Sequence, residues 1–286
     1  MGNLGIVAAA LLWGLWPAWI RGGSGGATTA LVAMTVAAVA GMPLALRQSR
    51  GRSRDRRAWG LLALLGFADA ANVWCYFRAL DEGAVAPAVL SHYLAPVLVA
   101  VAAPRLLGEP RSPRTPLALV LAVAGTAALV FGSGLDGTVS HRAVAAALAF
   151  GGASAVFYAA NVLISKALGK SFGDAEILCY HLLLAAAVIF AVEGFHLPAP
   201  EQLLRPALGG LISTLVAGLA YYYGLRRIPA ERAAILSYLE PLAAVMVGWF
   251  LLSEAPTDAT WAGGALILAG GLIVATQPKL PRTNRA

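Results

Sequence analysis

Charged residues are scarce in this sequence. Of its 286 residues only 12% are Asp, Glu, Lys or Arg, whereas an average soluble domain carries about 25%. Hydrophobic residues make up 59%, which excludes an ordinary soluble domain and indicates a protein that crosses the membrane many times. Because one crossing takes about 20 apolar residues, ten crossings would use about 200 positions and leave about 86 for all loops and tails. No separate soluble domain is expected.

Cysteine and the motifs of cofactor chemistry are also rare or missing. The two cysteines, Cys75 and Cys179, lie in apolar stretches, so a disulfide framework is not expected. The sequence has no metal-ligand spacing and no glycine-rich phosphate loop, and we predict neither a cofactor nor a metal. Gly151-Gly152-Ala153-Ser154 only weakly resembles the nucleophile segment of an intramembrane serine protease, because Ala155 stands where a glycine would follow. The sequence therefore does not predict an enzyme.

Apolar runs bounded by charged residues, proline or glycine divide the chain into ten predicted membrane spans. The weakest division is Asp81-Glu82-Gly83, between spans 3 and 4. Pro229 marks the division between spans 8 and 9 because proline disfavours a continuous helix. The predicted spans 1 to 10 cover residues 4–21, 27–46, 58–80, 84–104, 115–132, 143–165, 174–192, 204–225, 230–252 and 258–276.

The basic residues lie almost entirely on one side of this arrangement. If the N-terminus is cytoplasmic, all but four of the 21 Lys and Arg residues fall in cytoplasmic segments, the exceptions being Arg21, Arg78, Arg142 and Arg205. Positively charged loops face the cytoplasm, so the sequence predicts a multi-pass protein of the cell (inner) membrane with both termini cytoplasmic. The net charge of +7 is then explained without a nucleic acid partner.

The chain also matches itself at an offset of 145 residues. Tyr93-Leu94 aligns with Tyr238-Leu239, Pro96 with Pro241, and the Leu-x-Glu motif ending at Glu109 with the one ending at Glu254. These matches predict two repeats, residues 1–141 and 142–286, each with five spans. An odd number of spans inserts the second repeat upside down, which is typical of transporters with a substrate site between the repeats.

Three motifs carry a resemblance to a known family. They are Trp13-Gly14-Leu15-Trp16 ending in Arg21, the paired Tyr-Leu-x-Pro motifs, and the Leu-x-Glu motifs after spans 4 and 9. Together they resemble the drug/metabolite transporter superfamily in its ten-span EamA-type branch. The stretches 158–166 and 218–241 are most similar to bacterial aromatic amino acid exporters. The resemblance implies a basket of spans 1, 3, 4, 6, 8 and 9, with 2 and 7 completing the wall and 5 and 10 outside.

Polar side chains recur at helical spacing on two spans. On span 6, Ser154, Tyr158, Asn161 and Ser165 are three or four residues apart, and span 3 repeats the pattern with Asp69, Asn72 and Tyr76. Such spacing places each set on one face of its helix. Polar groups in a membrane face the bundle interior or a cavity. The alternative is hydrogen bonding that only holds the helices together.

Spans 4 and 9 each contain a proline near their middle. Pro96 and Pro241 remove a backbone donor and clash with the carbonyl four residues earlier. A broken helix in the membrane needs a cavity or side-chain partners, which makes the polar residues beside these prolines candidates for substrate contact. A kink that only shapes packing is the alternative.

We therefore predict an all-α integral membrane protein of ten transmembrane helices, built as two inverted five-helix repeats around a central cavity. The predicted substrate-binding residues combine the aromatic rings, suited to an amphipathic solute, with the polar stripes. Asp69 and Glu240 are predicted to couple protons, with His181 as a weaker candidate, because a carboxylate at this depth suits a proton relay. The substrate-binding set is Trp13, Trp16, Asn72, Tyr76, His92, Tyr93, Tyr158, Asn161, Tyr221, Ser237 and Tyr238.

The predicted function is export of small amphipathic metabolites, most of all amino acids including aromatic ones, by alternating access. The alternatives are an exporter of nucleobases, nucleosides or drug-like metabolites, and, with less support, a channel. The expected partners are a small-molecule substrate and the lipid bilayer, with no nucleic acid. We expect a monomer, and small residues in spans 5 and 10 offer a route to a dimer.

Overall fold

The computed structural model describes residues 1–20, 25–49, 54–110, 112–132, 140–194, 199–253 and 255–277, and within these ranges it contains helices and no strands. Helices occupy all ten predicted spans, with ends within a few residues of those expected. Their bounds are: span 1, Gly2–Trp13 and Trp16–Ile20; span 2, Gly26–Ser49; span 3, Arg56–Asp81; span 4, Val85–His92 and Ala95–Leu106; span 5, Thr115–Gly132; span 6, His141–Leu168; span 7, Asp174–Glu193; span 8, Pro200–Gly209, a π-helical segment Gly210–Val216, and Ala217–Leu225; span 9, Ala230–Leu236 and Leu239–Leu252; span 10, Asp258–Ala275.

Nine of these spans are long and apolar enough to cross a membrane, and span 5 provides a shorter apolar helix in the described part of the chain. Many large hydrophobic side chains, such as Leu11, Val120 and Leu272, are exposed on the outside of the bundle. Such a surface suits lipid rather than water. The predicted fold class is confirmed: this is a multi-pass membrane protein of two inverted five-helix repeats around a central cavity.

Three spans begin at a side chain that caps the helix. Asp55 accepts a hydrogen bond from the Ala58 amide at 2.8 Å, and Ser140 accepts one from the Ala143 amide at 3.2 Å. Thr257 does the same at the start of span 10. Because the first amides of a helix have no partner within it, these caps fix where spans 3, 6 and 10 start.

The predicted breaks in spans 4 and 9 are present. The first helix of span 4 ends at His92 and the second begins at Ala95, one residue before Pro96. The break leaves the Tyr93 carbonyl available, and the Tyr238 hydroxyl of span 9 donates to it at 2.6 Å. Since Tyr93 and Tyr238 are themselves 145 residues apart, the two breaks meet near the pseudo-twofold axis that relates the repeats.

Span 1 contains a break that we did not expect. Its helix stops at Trp13 and resumes at Trp16, because Pro17 lies four residues after Trp13 and cannot continue the helical hydrogen bonding. Gly14, within the break, approaches span 9 so closely that a β-carbon would lie 2.3 Å from the Ala243 side chain. A larger residue than glycine would push these spans apart.

The packing of the spans follows the repeat. Spans 3 and 6 pack together, as do their counterparts 8 and 1, and spans 2 and 7 and spans 5 and 10 pair with each other. A β-carbon on Gly125 would lie 2.6 Å from the Gly263 carbonyl, and one on Gly270 would lie 2.8 Å from the Ala118 carbonyl. At the 145-residue offset Gly125 aligns with Gly270 and Ala118 aligns with Gly263, so each contact is the equivalent of the other. Spans 5 and 10 are therefore related by the same axis.

Candidate functional site

A cavity of about 380 Å³ lies at the centre of the bundle. This volume is within the range of small-molecule sites. Its described lining residues come from spans 1, 2, 3, 4, 6, 7, 8 and 9, and none comes from spans 5 or 10.

Most of the predicted site residues meet in this cavity. The stripes of spans 3 and 6 lie side by side in its wall, and spans 1, 4, 8 and 9 contribute the remaining groups. The predicted residues that line it are Trp13, Trp16, Asn72, Tyr76, His92, Tyr93, Tyr158, Asn161 and Tyr221, together with Asp69 and Glu240.

Two predicted residues, Ser237 and Tyr238, do not line the cavity. The Ser237 hydroxyl donates back to the Ala233 carbonyl at 3.0 Å, and the residue is only 5% exposed. Tyr238 is fully buried against Leu129 and Ile267. Ser237 thus bonds within span 9, and the Tyr238 hydroxyl donates to the Tyr93 carbonyl at the break in span 4. In this structure both side chains stabilise the helix breaks rather than face the cavity.

Spans 3, 4 and 6 are joined by a buried hydrogen-bond network. The Ser154 hydroxyl donates to the Asn72 side-chain oxygen at 2.8 Å and lies 2.8 Å from Nδ1 of His92. Since a hydroxyl has one proton and Asn72 receives it, His92 donates from Nδ1 to Ser154. The network fixes the orientation of the His92 ring in the cavity wall.

A second polar cluster surrounds Asp69. Its Oδ1 accepts a hydrogen bond from Asn161 at 2.6 Å, and its Oδ2 lies 3.5 Å from Nε2 of His181. The other ring nitrogen of His181 contacts the Ile177 carbonyl. A carbonyl only accepts hydrogen bonds, so Nδ1 of His181 carries a proton and Nε2 is the atom directed at the carboxyl group.

Aromatic rings form two walls that are equivalent under the 145-residue offset. In the first, which we call the polar wall, His92 lies between Tyr76 and Tyr158, with centroid distances of 4.5 and 5.6 Å. In the second, the apolar wall, Trp13 and Tyr221 contact each other directly at 5.0 Å. Flat rings on both sides suit a substrate with an apolar or aromatic body.

Some lining residues were missed or only weakly predicted from the sequence. Phe77 and Tyr222 follow predicted residues, and they reach the cavity because it is wider than one helical face. His181 was only a weak candidate. Ser213 and Thr214 line the cavity from the π-helical segment, which re-aims side chains in a way that helical spacing does not reveal.

The cavity is closed toward the face that carries the N-terminus. There, Nζ of Lys166 lies 3.3 Å from Oε1 of Glu109 and also donates to the Leu225 and Ile228 carbonyls. Oε2 of Glu109 accepts a hydrogen bond from the Ala230 amide at 2.6 Å. These contacts tie spans 4, 6, 8 and 9 together below the cavity.

Further ion pairs strengthen the same face. Arg54 pairs with Glu176 in a buried contact, and Arg226 pairs with Asp174 at 2.6 Å in a more exposed one. At the other end, Ile20, Phe77 and Leu80 line the cavity near the ends of spans 1 and 3. The cavity therefore extends away from the N-terminal face. Arg21 and Glu254, the remaining members of the sequence motifs, lie outside the described residues.

A central cavity between two inverted repeats, lined by rings and a few polar side chains and closed on one face, defines a membrane transporter. The family comparison agrees. The EamA-like transporter family matches residues 1–131 and 145–276, and the chain belongs to this family. The predicted resemblance is thereby confirmed, and the family and its named relatives are transporters rather than enzymes.

Three relatives span most of the chain. It is 30% identical to an uncharacterized transporter of Archaeoglobus fulgidus over 95% of both chains. It is 27% identical to the pseudopaline exporter CntI of Pseudomonas aeruginosa over 82% of this chain and 81% of the relative. It is 25% identical to a probable terminal-alkyne amino-acid exporter of Streptantibioticus cattleyicolor over 85% of this chain and 80% of that one.

A solved crystal structure shares the fold. It is 20% identical in sequence, and its TM-score is 0.83 over 96% of this chain and 98% of the other. At this identity the likeness concerns the fold alone, and it agrees with the helical arrangement described above.

Proposed function

We propose that this protein exports small amphipathic metabolites through its central cavity by alternating access, and that amino acids, including aromatic ones, are its substrates. The observation that carries the proposal is the cavity itself, which combines aromatic rings with amide, hydroxyl and carboxyl groups. Rings pack the apolar part of such a solute, and the polar groups orient the rest. Closure of only one face supports alternating access, because a carrier opens its site to one side at a time.

The relatives support the direction and the substrate class. Two of them carry the name exporter, and one of these is named for an amino acid. Each was found over more than four fifths of this chain, so the likeness includes both repeats and the cavity between them.

Counterflow in proteoliposomes tests this proposal. Vesicles loaded with unlabelled phenylalanine are expected to accumulate labelled phenylalanine transiently and saturably, and a panel of amino acids and nucleosides would define the range. Tyr158→Ala removes a ring from the cavity and is expected to weaken the apparent affinity by about 10-fold, since a fully packed ring contributes more than about 1.4 kcal/mol. Tyr180→Ala is the matched control, because Tyr180 stacks on Trp59 outside the cavity lining.

The outcomes separate the alternatives. Absence of counterflow with every amino acid would contradict the leading proposal. Counterflow confined to nucleosides would favour the nucleoside alternative. Conductance that does not saturate would indicate a channel.

We also propose that transport is coupled to protons through Asp69 or Glu240, both of which line the cavity. A carboxyl group in this setting binds and releases a proton as the cavity changes sides. The test is uptake into vesicles with an imposed pH gradient. If the double variant Asp69→Asn with Glu240→Gln still uses the pH gradient to accumulate substrate, the result would contradict proton coupling through these residues.

We also propose an orientation and an oligomeric state. The protein lies in the cell (inner) membrane as a monomer with both termini cytoplasmic. The first repeat ends at residue 141 and the second begins at residue 142. The close packing of spans 5 and 10 on each other supports a monomer, since their small residues are already used within the chain. A C-terminal green fluorescent protein fusion should fluoresce, and an alkaline phosphatase fusion at the same point should be inactive.

A further inference from the structure

The described part of the cavity wall contains acidic groups but no strongly basic ones. Among its described lining residues, the ionisable groups besides tyrosine are Asp69, Glu240, His92 and His181, and none is a lysine or arginine. Among these residues an anionic solute would therefore find no permanent positive charge to bind. A solute with a positive charge would find two carboxyl groups, and the question is which of them is available.

Asp69 is already satisfied by the protein. It accepts from Asn161 and faces Nε2 of His181. Both oxygens of Asp69 are directed at protein partners rather than at the cavity alone. Asp69 therefore has less acceptor capacity left for a cation.

Glu240 has a different environment. It lies in the first turn of the helix Leu239–Leu252 and lines the cavity. The neutral phenol of Tyr93 lines the same cavity. A carboxylate has about four acceptor sites, so a carboxyl group on the cavity wall can accept hydrogen bonds from a solute.

Aromatic rings line the same cavity as this carboxyl group. Tyr76, Tyr93 and Tyr158 are among them, and each ring lies against His92, with centroid distances of 4.5, 5.5 and 5.6 Å. Ring faces attract organic cations, and they do so more strongly where water is excluded. A carboxylate beside several rings is the arrangement expected for a protonated amine attached to an apolar body.

We propose that Glu240, together with the Tyr93 hydroxyl and the rings of Tyr76 and Tyr158, is the subsite for the ammonium group of the substrate. The substrate class is thus an amphipathic organic ammonium compound, which includes amino acids and the corresponding amines. Deaminated acids and uncharged nucleobases fall outside it. The inference rests on the proposed transport through this cavity, and it leaves the Asp69–His181 pair as the separate group for a proton.

Binding of two small probes to the purified full-length protein tests the subsite. Phenethylamine has the ring and the ammonium group without a carboxylate, and 3-phenylpropionate has the ring and the carboxylate without an amine. Calorimetry on the wild-type protein should detect phenethylamine at least about 10-fold more tightly than 3-phenylpropionate, which corresponds to one hydrogen bond to a charged group. Equal binding of the two probes, or tighter binding of the acid, overturns the proposal without any variant.

Substitutions test whether Glu240 is the group that binds the ammonium group of the probe. Glu240→Gln should weaken phenethylamine binding at least about 10-fold. Glu201→Gln, at an exposed glutamate in span 8, is the matched control and should bind as the wild type does. Unchanged binding by Glu240→Gln would overturn the assignment.

The same measurements separate this inference from the proposed function. If no amino acid shows counterflow but phenethylamine binds in a Glu240-dependent way, amino acid export fails and the subsite stands. If phenylalanine shows saturable counterflow while Glu240→Gln binds phenethylamine as tightly as the wild type, the function stands and the subsite fails.

Discussion

The polar wall and the apolar wall occupy equivalent positions 145 residues apart, yet they present different chemistry to the cavity. The position of His92 decides much of this difference. In the polar wall its ring separates two tyrosine rings, at 4.5 and 5.6 Å. At the equivalent position, Ser237 is shorter and bonds to its own helix, so the rings of the apolar wall meet directly. Equivalent backbone positions thus give one wall with a hydrogen-bonded ring between its tyrosines and one wall in which the rings pack directly.

The helix pairs behind the walls differ in the same way. Behind the polar wall, spans 3 and 6 are joined by hydrogen bonds such as that from Asn161 to Asp69. Their counterparts, spans 8 and 1, approach through glycine: a β-carbon on Gly5 would lie 2.6 Å from the Ala220 carbonyl, and one on Gly224 would lie 2.7 Å from that of Gly2. Spans 8 and 1 also share hydrogen bonds, from Trp19 to Ser213 at 2.9 Å and from Ser213 to the Leu12 carbonyl. The two pairs therefore keep the same packing scheme, and they differ in that the carboxyl group of Asp69 lies in one pair and the glycine contacts lie in the other.

The largest effect is expected from a substitution that removes a partner of Asp69, behind the polar wall. His181→Leu leaves the Asp69 carboxyl group facing a hydrocarbon, which should destabilise the protein by about 2–3 kcal/mol. Thr214→Val changes the position equivalent to Asp69, where only a 3.5 Å contact with the Gly209 carbonyl is lost, and should cost less than about 1 kcal/mol. Reversible unfolding in bicelles measures both. Equal losses would contradict the asymmetry.

A smaller effect is expected from making the two walls alike. His92→Ser removes the ring between Tyr76 and Tyr158 and the hydrogen bond to Ser154, which should cost about 1–2 kcal/mol and weaken substrate affinity about 10-fold. Counterflow kinetics and unfolding report the two quantities. Ser237→Ala is the control at the equivalent position, and it should leave the apparent affinity unchanged. An affinity loss as large in the control would show that both positions contact substrate.

The smallest effect is expected from a hydroxyl in the apolar wall. The Tyr221 hydroxyl is buried and has no hydrogen-bond partner among the described residues. Tyr221→Phe should therefore be neutral or slightly stabilising, within about 1 kcal/mol of the wild type, whereas Tyr238→Phe removes the 2.6 Å hydrogen bond to the Tyr93 carbonyl and should destabilise. Thermal unfolding in one detergent compares the pair. A clear loss of stability in Tyr221→Phe would argue against an apolar role for this wall.

Hydrophobic runs and prolines predicted most of the fold, because in a membrane both have few alternative interpretations. The breaks at Pro96 and Pro241 followed from backbone chemistry. The break before Pro17 obeys the same rule, but we treated residues 4–21 as one run. The π-helical segment had no clear sequence signal, because it depends on the approach of Gly210 to the Ala33 carbonyl of span 2, where a β-carbon would lie at 2.6 Å.

The site was predicted where one helix face carried the signal. The spacing on spans 3 and 6 needs only helical geometry, and those residues line the cavity except for Ser154, which is buried between the helices. Ser237 and Tyr238 were predicted from their position beside Pro241, which locates a break in the helix but not the direction of its side chains, and they turn into the protein instead. The importance of His181 depends on its contact with Asp69 from another span, so its own sequence neighbourhood could not reveal it.

The central claim is that substrate binds between the two walls, and photolabelling tests it most directly. A photoreactive phenylalanine analogue would be irradiated with the protein in nanodiscs, and the labelled residues mapped by mass spectrometry. We predict labelling of Trp13, Tyr76 and Tyr158 that an excess of phenylalanine abolishes. Labelling confined to the lipid-facing surfaces or to spans 5 and 10, or labelling of the cavity that phenylalanine does not reduce, would contradict the account.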